Sequence, residues 1–330
     1  MKTKIFSILW LVILSFQLQA IQSMDGVLIA ESDSIGFTIE PSIGFLNGVA
    51  REIVYKDNSS DTYLSELIWD LTEIVYAGLS ASINIQNRLY LNIGFWTSIN
   101  AGSGYMNDFD WLNLTGKSYP VYDDYDRSGW TNWSLSSVDV VRSLLLDVNI
   151  SYDFLSQRNV RFSPMSGYRR LYWDWSDRVL DSIYPPEWRS LEVGADAIDY
   201  ELLLNILYMG FGVAGYYPDG VFLDWIFIYS PFVFGGDHDH HLLRDDYGPG
   251  GIHFYDNIYF GQYLSTTVKI GYSFSEWFCL STKFSGEYLI ERRGSTYVYD
   301  NEGNSKGSIA GGAGIQYQAL SISINAAFSF

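Results

Sequence analysis

The feature that most constrains this chain is an alternation of apolar and polar residues with period two, sustained far longer than a soluble strand requires. In VDVVRSLLLDVNISYDF (138–154) the even positions hold Val138, Val140, Leu144, Leu146, Val148, Ile150, Tyr152 and Phe154. Asp139, Ser143, Asp147, Asn149, Ser151 and Asp153 stand between them. RLYLNIGFWTS (88–98) repeats the pattern with Leu89, Leu91, Ile93 and Phe95, and 258–274 repeats it with Ile258, Phe260, Leu264, Val268, Ile270 and Phe274. Successive side chains of a strand point to opposite faces, so each stretch reads as a strand. Globular strands average roughly 5–6 residues, whereas these run well past ten. A β-sandwich is the soluble competitor, but strands apolar towards lipid and polar towards a lumen fit the pattern better.

Counted along the chain, the alternation predicts ten strands, near 34–50, 62–82, 86–100, 137–154, 159–175, 196–216, 221–236, 255–274, 277–298 and 307–330. Short connectors (NIQN, DFLSQRN, YYPDG and FSEWF) alternate with long polar ones near 51–61, 101–136, 176–195, 237–254 and 299–306. That is the order of an all-β, ten-stranded antiparallel transmembrane barrel, with short turns on the periplasmic side and long loops outside. The N-terminus agrees. Lys2 and Lys4 precede the apolar run IFSILWLVIL (5–14), and LQA (18–20) ends in a small residue, the pattern of a secretory signal peptide over 1–20. The run is too short for a spanning helix, which needs about 20 residues. Residues 21–330 then form a single barrel domain. The last stretch, LSISINAAFSF (320–330), alternates to a terminal Phe, resembles the assembly signal of bacterial outer-membrane barrels, and implies that address.

Charge narrows the partners. A formal net charge of −18 disfavours nucleic acid, whose phosphates need a basic face, and suits cationic peptides. Cys279 is the only cysteine, so an intramolecular disulfide and a Cys-based zinc framework are excluded.

Three of the four histidines crowd into GGDHDHH (235–241), and a second acidic cluster, NDFDW (107–111), lies in another long connector. Loops after the third and seventh strands face each other across a ten-stranded mouth. Strand parity carries Asp108 and Asp110 to the inner face together, and turns Glu52 inward from the first strand. In the histidine cluster Asp237, Asp239 and His241 share one face, with His238 and His240 on the other. Which face is inward stays open, because VFLDWIFIYSPFVF (221–234) is apolar on both. From these residues alone the cluster is a metal site, a catalytic dyad or a polar loop. A zinc set of His238, His240 and His241 would need side chains from opposite faces to converge.

Taken together the chain resembles the omptins, a family of outer-membrane endopeptidases. The signal peptide, the ten-strand pattern, NDFDW, DHDHH, GVAREIVY (48–55) and ELIWDL (66–71) occur in the family's order over essentially the whole mature chain. The resemblance places the family's aspartate couple on Asp108 and Asp110 and its aspartate–histidine dyad on Asp239 and His241. The acidic floor of the primary specificity pocket falls on Glu52 and Asp237. It implies hydrolysis after basic residues, between paired Arg or Lys, without a metal or covalent intermediate. It also implies outer-wall contact with lipopolysaccharide, as a lipid needed for activity. Here the chain departs from the family: GYRRLYWDW (167–175) keeps Tyr168, but Arg170 and Tyr172 stand where a glutamate and an arginine are expected. The alternative from another class is a non-enzymatic barrel of the same scaffold, an adhesin or receptor.

Overall fold

The alternation closes into an antiparallel ring in the computed structural model, which describes residues 35–56, 63–111, 130–157, 159–184, 190–244 and 249–330. The signal peptide expected over 1–20 lies outside the described residues. The strand segments are β1 (Ile35–Tyr55), β2 (Tyr63–Ile85), β3 (Leu89–Ser98), β4 (Gly102–Asp110), β5 (Asn132–Tyr152) and β6 (Leu155–Gln157). They continue as β7 (Val160–Ile183), β8 (Ile198–Tyr216), β9 (Val221–His241), β10 (Ile252–Ser275), β11 (Phe278–Asp300) and β12 (Ser305–Ser329). β3 and β4 are two halves of one stave, because both lie between β2 and β5. β6 is a three-residue stub against β7. Ten staves therefore make the ring, and β1 seals it by pairing with β2 on one side and β12 on the other. Closure leaves no sheet edge, which is what lets strands cross a bilayer.

The short connectors gather at one end, as the sequence predicts. Gln86 and Asn87 adopt φ of 54° and 52° in the turn between β2 and β3, and Gly220 adopts 95° between β8 and β9. On β1 the odd residues Phe37, Ile43 and Phe45 face outward, and Leu320, Ile322 and Ile324 do so on β12. From Ile35 to Phe45 the strand climbs about 33 Å, which at a tilt of about 40° gives an apolar belt ~25 Å tall.

The strands do not stop at that belt. NDFDW was expected in a connector, but Asn107–Asp110 belongs to β4, and GGDHDHH forms the last seven residues of β9. The physical reason is the ladder. Above the belt a paired strand keeps its backbone hydrogen bonds, and polar side chains there face water or one another at little cost. The third stave also differs from the single run expected over 86–100, because it breaks after Ser98 and resumes at Gly102.

Charged side chains fill the lumen within the belt. Arg169 reaches Asp147 and Glu287, each at 2.8 Å, and donates to the Tyr263 hydroxyl at 2.7 Å. Lys269 pairs with Glu40 nearer the short-turn end. Buried charges of this kind persist only when paired, and these pairs tie staves together across the lumen. Above them lies an aromatic layer: Trp69 stacks on Tyr200 at 4.8 Å, and Trp175 meets the same ring at 5.5 Å. All three are fully buried. This layer is the floor of the cup formed by the upper strands.

One irregularity decides what the cup contains. Ser230 and Pro231 lie between the β9 pairs Met209↔Tyr229 and Leu207↔Phe232, so β9 bulges by a residue there. Below the bulge the even residues Phe222 and Ile228 are buried; above it the odd residues Val233, Asp237 and Asp239 are. Pro231 has no N–H to offer the ladder, which suits it to that position. The bulge turns Asp237, Asp239 and His241 towards the lumen.

Candidate active site

Each functional side chain is set by strand parity. β1 turns Glu52 inward, β4 turns Asp108 and Asp110 inward, and β9 supplies Asp237, Asp239 and His241. All lie above the apolar belt. Phe109, on the other face of β4, packs against Trp111 at 6.3 Å and Trp130 at 6.4 Å, which fixes the direction of its two aspartate neighbours. β9 is held as closely by its backbone. A Cβ on Gly235 would lie 2.0 Å from the Leu203 carbonyl oxygen, and one on Gly236 only 1.7 Å from that of Asp256. The two glycines of GGDHDHH are therefore spacers that seat the rest of the motif between β8 and β10.

The histidines separate into two groups. His241 Nε2 lies 2.7 Å from Asp239 Oδ2, with the Asp239 side chain almost fully buried. An Nε2–H donated to Asp239 leaves the imidazole lone pair on Nδ1. The ring edge rests against Phe254, with centroids 5.3 Å apart. His238 and His240 project from the opposite face, where His238 Nε2 lies 2.9 Å from His253 Nδ1 and the His240 ring stacks on His253 at 3.8 Å. The trio His238, His240 and His241 thus lies on two sides of the wall and cannot converge on one ion. A groove of about 640 Å³ lined by His253, Tyr255, Tyr297 and Tyr299 runs along that outer side, away from the carboxylates.

Burial and crowding govern the electrostatics. Burial, followed by the charges of Asp239, Asp237 and Asp256, raises the Glu52 carboxyl well above the ordinary carboxylate range. Burial and then Asp256 and Asp239 do the same to Asp237. Burial pushes Asp256 itself up to about 7, against the opposing Thr296 hydroxyl. Burial and Asp110 raise Asp108, while His241 lowers it and the Ser65 hydroxyl, 3.3 Å away, assists ionisation. Asp110 is also raised by burial, against Ser65, His241 and Arg244. For His241 burial disfavours the cation, but the charge and hydrogen bond of Asp239 outweigh it, and Asp108 adds to them, so the imidazole is raised above 6.5. Asp108 and His241 therefore feel each other's charge across the cup, although they belong to staves on opposite sides of the ring.

Four groups of the site were not singled out in the sequence. Asp256 on β10 pairs with Asp237 in the register, and one ligand atom from each of Glu52, Asp237 and Asp256 lies within 4.8 Å of the others, close enough for one cation to bridge all three. The Tyr200 hydroxyl donates to Asp237 Oδ2 at 3.1 Å from the aromatic floor. Tyr184 faces the Asp108–Asp110 couple, and Arg244 stands close enough to lower both Asp110 and His241. Only the register brings Asp256 in; Tyr184 and Arg244 carry no motif. Tyr168 and Arg170 lie elsewhere, on the outer face of β7, where the Tyr168 hydroxyl donates to Asn205 at 2.7 Å and Arg170 is exposed. Beside them Tyr172 donates to Glu201 at 3.0 Å, and Arg142 pairs with Asp174 at 2.7 Å.

Comparison with known proteins places this geometry. The model of the omptin family matches residues 33–330. The plasminogen activator of Yersinia pestis is 25 % identical over 299 residues, which is 89 % of each chain. Protease 7 of Escherichia coli strain K12 is 24 % identical over 299 residues, 87 % of this chain and 90 % of its own. The outer membrane protease OmpP of the same strain is 25 % identical over 285 residues, 84 % and 85 % of the two chains. In fold, the chain is similar to the crystal structure of the outer membrane protease OmpT from Escherichia coli, with a TM-score of 0.78 at 22 % identity over 93 % of this chain and 100 % of that one. A family match spanning every described residue, on a closed ten-stave barrel, leaves one conclusion: the chain belongs to the omptin family, and its barrel is an outer-membrane barrel.

Proposed function

We propose that this barrel is an endopeptidase that hydrolyses peptide bonds after basic residues, with its cup facing the cell exterior. One observation carries the reading: His241, hydrogen-bonded to buried Asp239 at 2.7 Å, stands across the cup from the Asp108–Asp110 couple, above a pocket floored by carboxylates. The protease names of the relatives support it.

The chemistry follows from the residue types. A peptide lying across the cup would place its basic side chain between Glu52 and Asp237, for which a paired carboxylate set is the natural partner. Asp239 orients the imidazole and stabilises its cation. His241 Nδ1 takes a proton from water as the water oxygen attacks the scissile carbonyl carbon. Asp108 and Asp110, crowded and raised, share one proton, and the protonated member donates to the developing oxyanion while its partner positions the water. The imidazolium then returns its proton to the leaving nitrogen as the C–N bond breaks. No enzyme side chain is acylated. Lipopolysaccharide would contact the outer wall near Tyr168 and Arg170, where the polar set Tyr172, Glu201, Arg142 and Asp174 provides donors and acceptors.

The test uses the refolded mature barrel, with and without lipopolysaccharide, and an internally quenched peptide carrying one Arg-Arg pair. Cleavage at that pair by the parent, absent in His241→Ala, supports the reading. A folded parent with no cleavage of this peptide or a basic peptide library favours the adhesin alternative, and loss of cleavage on chelation favours a metal enzyme.

A further inference from the structure

The acidic pocket holds one carboxylate more than the pair named from the sequence. Asp256 faces Asp237 across the β9–β10 ladder and joins it and Glu52 on the inner wall, with one ligand oxygen of each within 4.8 Å of the other two. Asp256 is 1 % exposed, Glu52 1 % and Asp237 6 %. The Thr296 hydroxyl lies near Asp256 but outside hydrogen-bonding geometry, so neither Asp256 oxygen has a partner, and Glu52 Oε2 and Asp237 Oδ1 are likewise buried and unpartnered. One oxygen from each of three strands thus converges, in a cluster where four buried acceptors have no donor. Buried polar atoms are rarely left so, and a cluster of them marks where a ligand's donors belong.

Their number says which donors. An ammonium brings three N–H groups on a point charge, whereas a guanidinium brings five in a planar fork. An ammonium would leave at least one of the four acceptors orphaned, whereas a guanidinium has donors for all of them. The surroundings agree. The other Asp237 oxygen is held by the Tyr200 hydroxyl at 3.1 Å, and Tyr200 with Trp69 makes a flat aromatic floor beneath, the surface on which a planar cation packs.

We propose that Asp256 is a third specificity-determining carboxylate of this pocket and selects arginine over lysine at the residue before the scissile bond. The proposal rests on the peptidase reading. Leaving one buried acceptor unpaired corresponds to about 10- to 100-fold in kcat/KM, the discrimination expected of the parent.

The experiment compares two internally quenched peptides that differ only in Arg or Lys before the cleaved bond. It uses the refolded barrel, Asp256→Ser and Asp256→Asn, with heat-modifiable gel mobility as the check of folding. The parent is expected to prefer the Arg peptide at least 10-fold. Asp256→Ser is expected to bring the two peptides near parity, mainly through a higher KM for the Arg peptide. Asp256→Asn, which keeps the volume, should fall between. An unchanged Arg-to-Lys ratio in both folded variants would overturn the role of Asp256 while leaving the peptidase reading intact. Inhibition of the parent by millimolar calcium that Asp256→Ser relieves would overturn it in favour of a metal site. Cleavage of neither peptide by a folded parent would overturn the peptidase reading and the proposal with it.

Discussion

Replacing Asp239 with asparagine removes one charge while keeping the volume, and the structure sets the size of the effect. The carboxylate lies 2.7 Å from His241 Nε2, its side chain only 2 % exposed and that of His241 19 %. With charge centres about 4 Å apart and an effective dielectric of about 20, the pair is worth about 4 kcal/mol to the imidazolium that forms as water is deprotonated. At 1.36 kcal/mol per tenfold, that is a loss of about 10³ in kcat. A free choice of tautomer in the variant, with Nε2 no longer held as the donor, extends the loss towards 10⁴. Because the residue touches no substrate side chain, KM should move little. Burial is the largest influence on His241 and lowers its pKa, so without Asp239 the acid limb of the rate profile should move to lower pH. Steady-state kinetics on a quenched Arg-Arg peptide from pH 5 to 9 read both quantities. A fall of under tenfold in kcat, or a fall confined to KM, would refute the dyad.

The pH dependence should show an acid limb set by His241, cleavage rising with pH as the imidazole loses its proton above 6.5. The buried carboxyls of the site make the upper barrel more stable in acid. Glu52, Asp108, Asp237 and Asp256 keep their protons folded at pH values where the unfolded chain, with carboxylates near 4, has lost them, so stability falls as pH rises through that window, which for Asp256 ends at about 7. His241 acts in the same direction, its contribution present below 6.5 and lost as pH passes its raised folded value. Hydrogen exchange of upper β9 and β10 should accordingly be slower at pH 5 than at pH 8 after correction for intrinsic rates. Asp108→Asn should lower kcat about 10²- to 10³-fold, as expected when an oxyanion donor is lost, and equal activity would remove the couple from the mechanism. Gly236→Ala forces β9 and β10 apart at the Asp256 carbonyl and should cost about 100-fold in kcat/KM while heat-modifiable mobility survives.

Much of this was legible in the sequence because a strand has so simple a period. The odd residues Ile35, Phe37 and Phe45 point to lipid, so Glu52 follows inward on β1, and the same count carries Asp108 and Asp110 inward from β3. The count survives the break between β3 and β4 because Trp96 and Met106, an even number of residues apart, both turn inward. β9 was different. Its lower half is apolar on both faces, and the bulge at Ser230–Pro231 reverses parity just before the motif. Pro231, inside an otherwise regular strand, was the available sign of that bulge. The ends of the strands are not legible in this way, because polar residues read as loop, whereas above the belt only the end of the ladder ends a strand. Asp256 was invisible for another reason. It sits between Tyr255 and Asn257 with no motif, and only its register with Asp237 makes it part of the pocket.

The central claim is a surface-facing peptidase whose Asp239–His241 pair activates water. The most direct test displays the parent and His241→Ala on intact cells and offers a membrane-impermeant quenched peptide with one Arg-Arg pair, products being identified by mass. The account predicts cleavage between the two arginines by intact cells carrying the parent, insensitive to EDTA, and none above background with His241→Ala. Cleavage only after permeabilisation, or equal cleavage by both proteins, would contradict it.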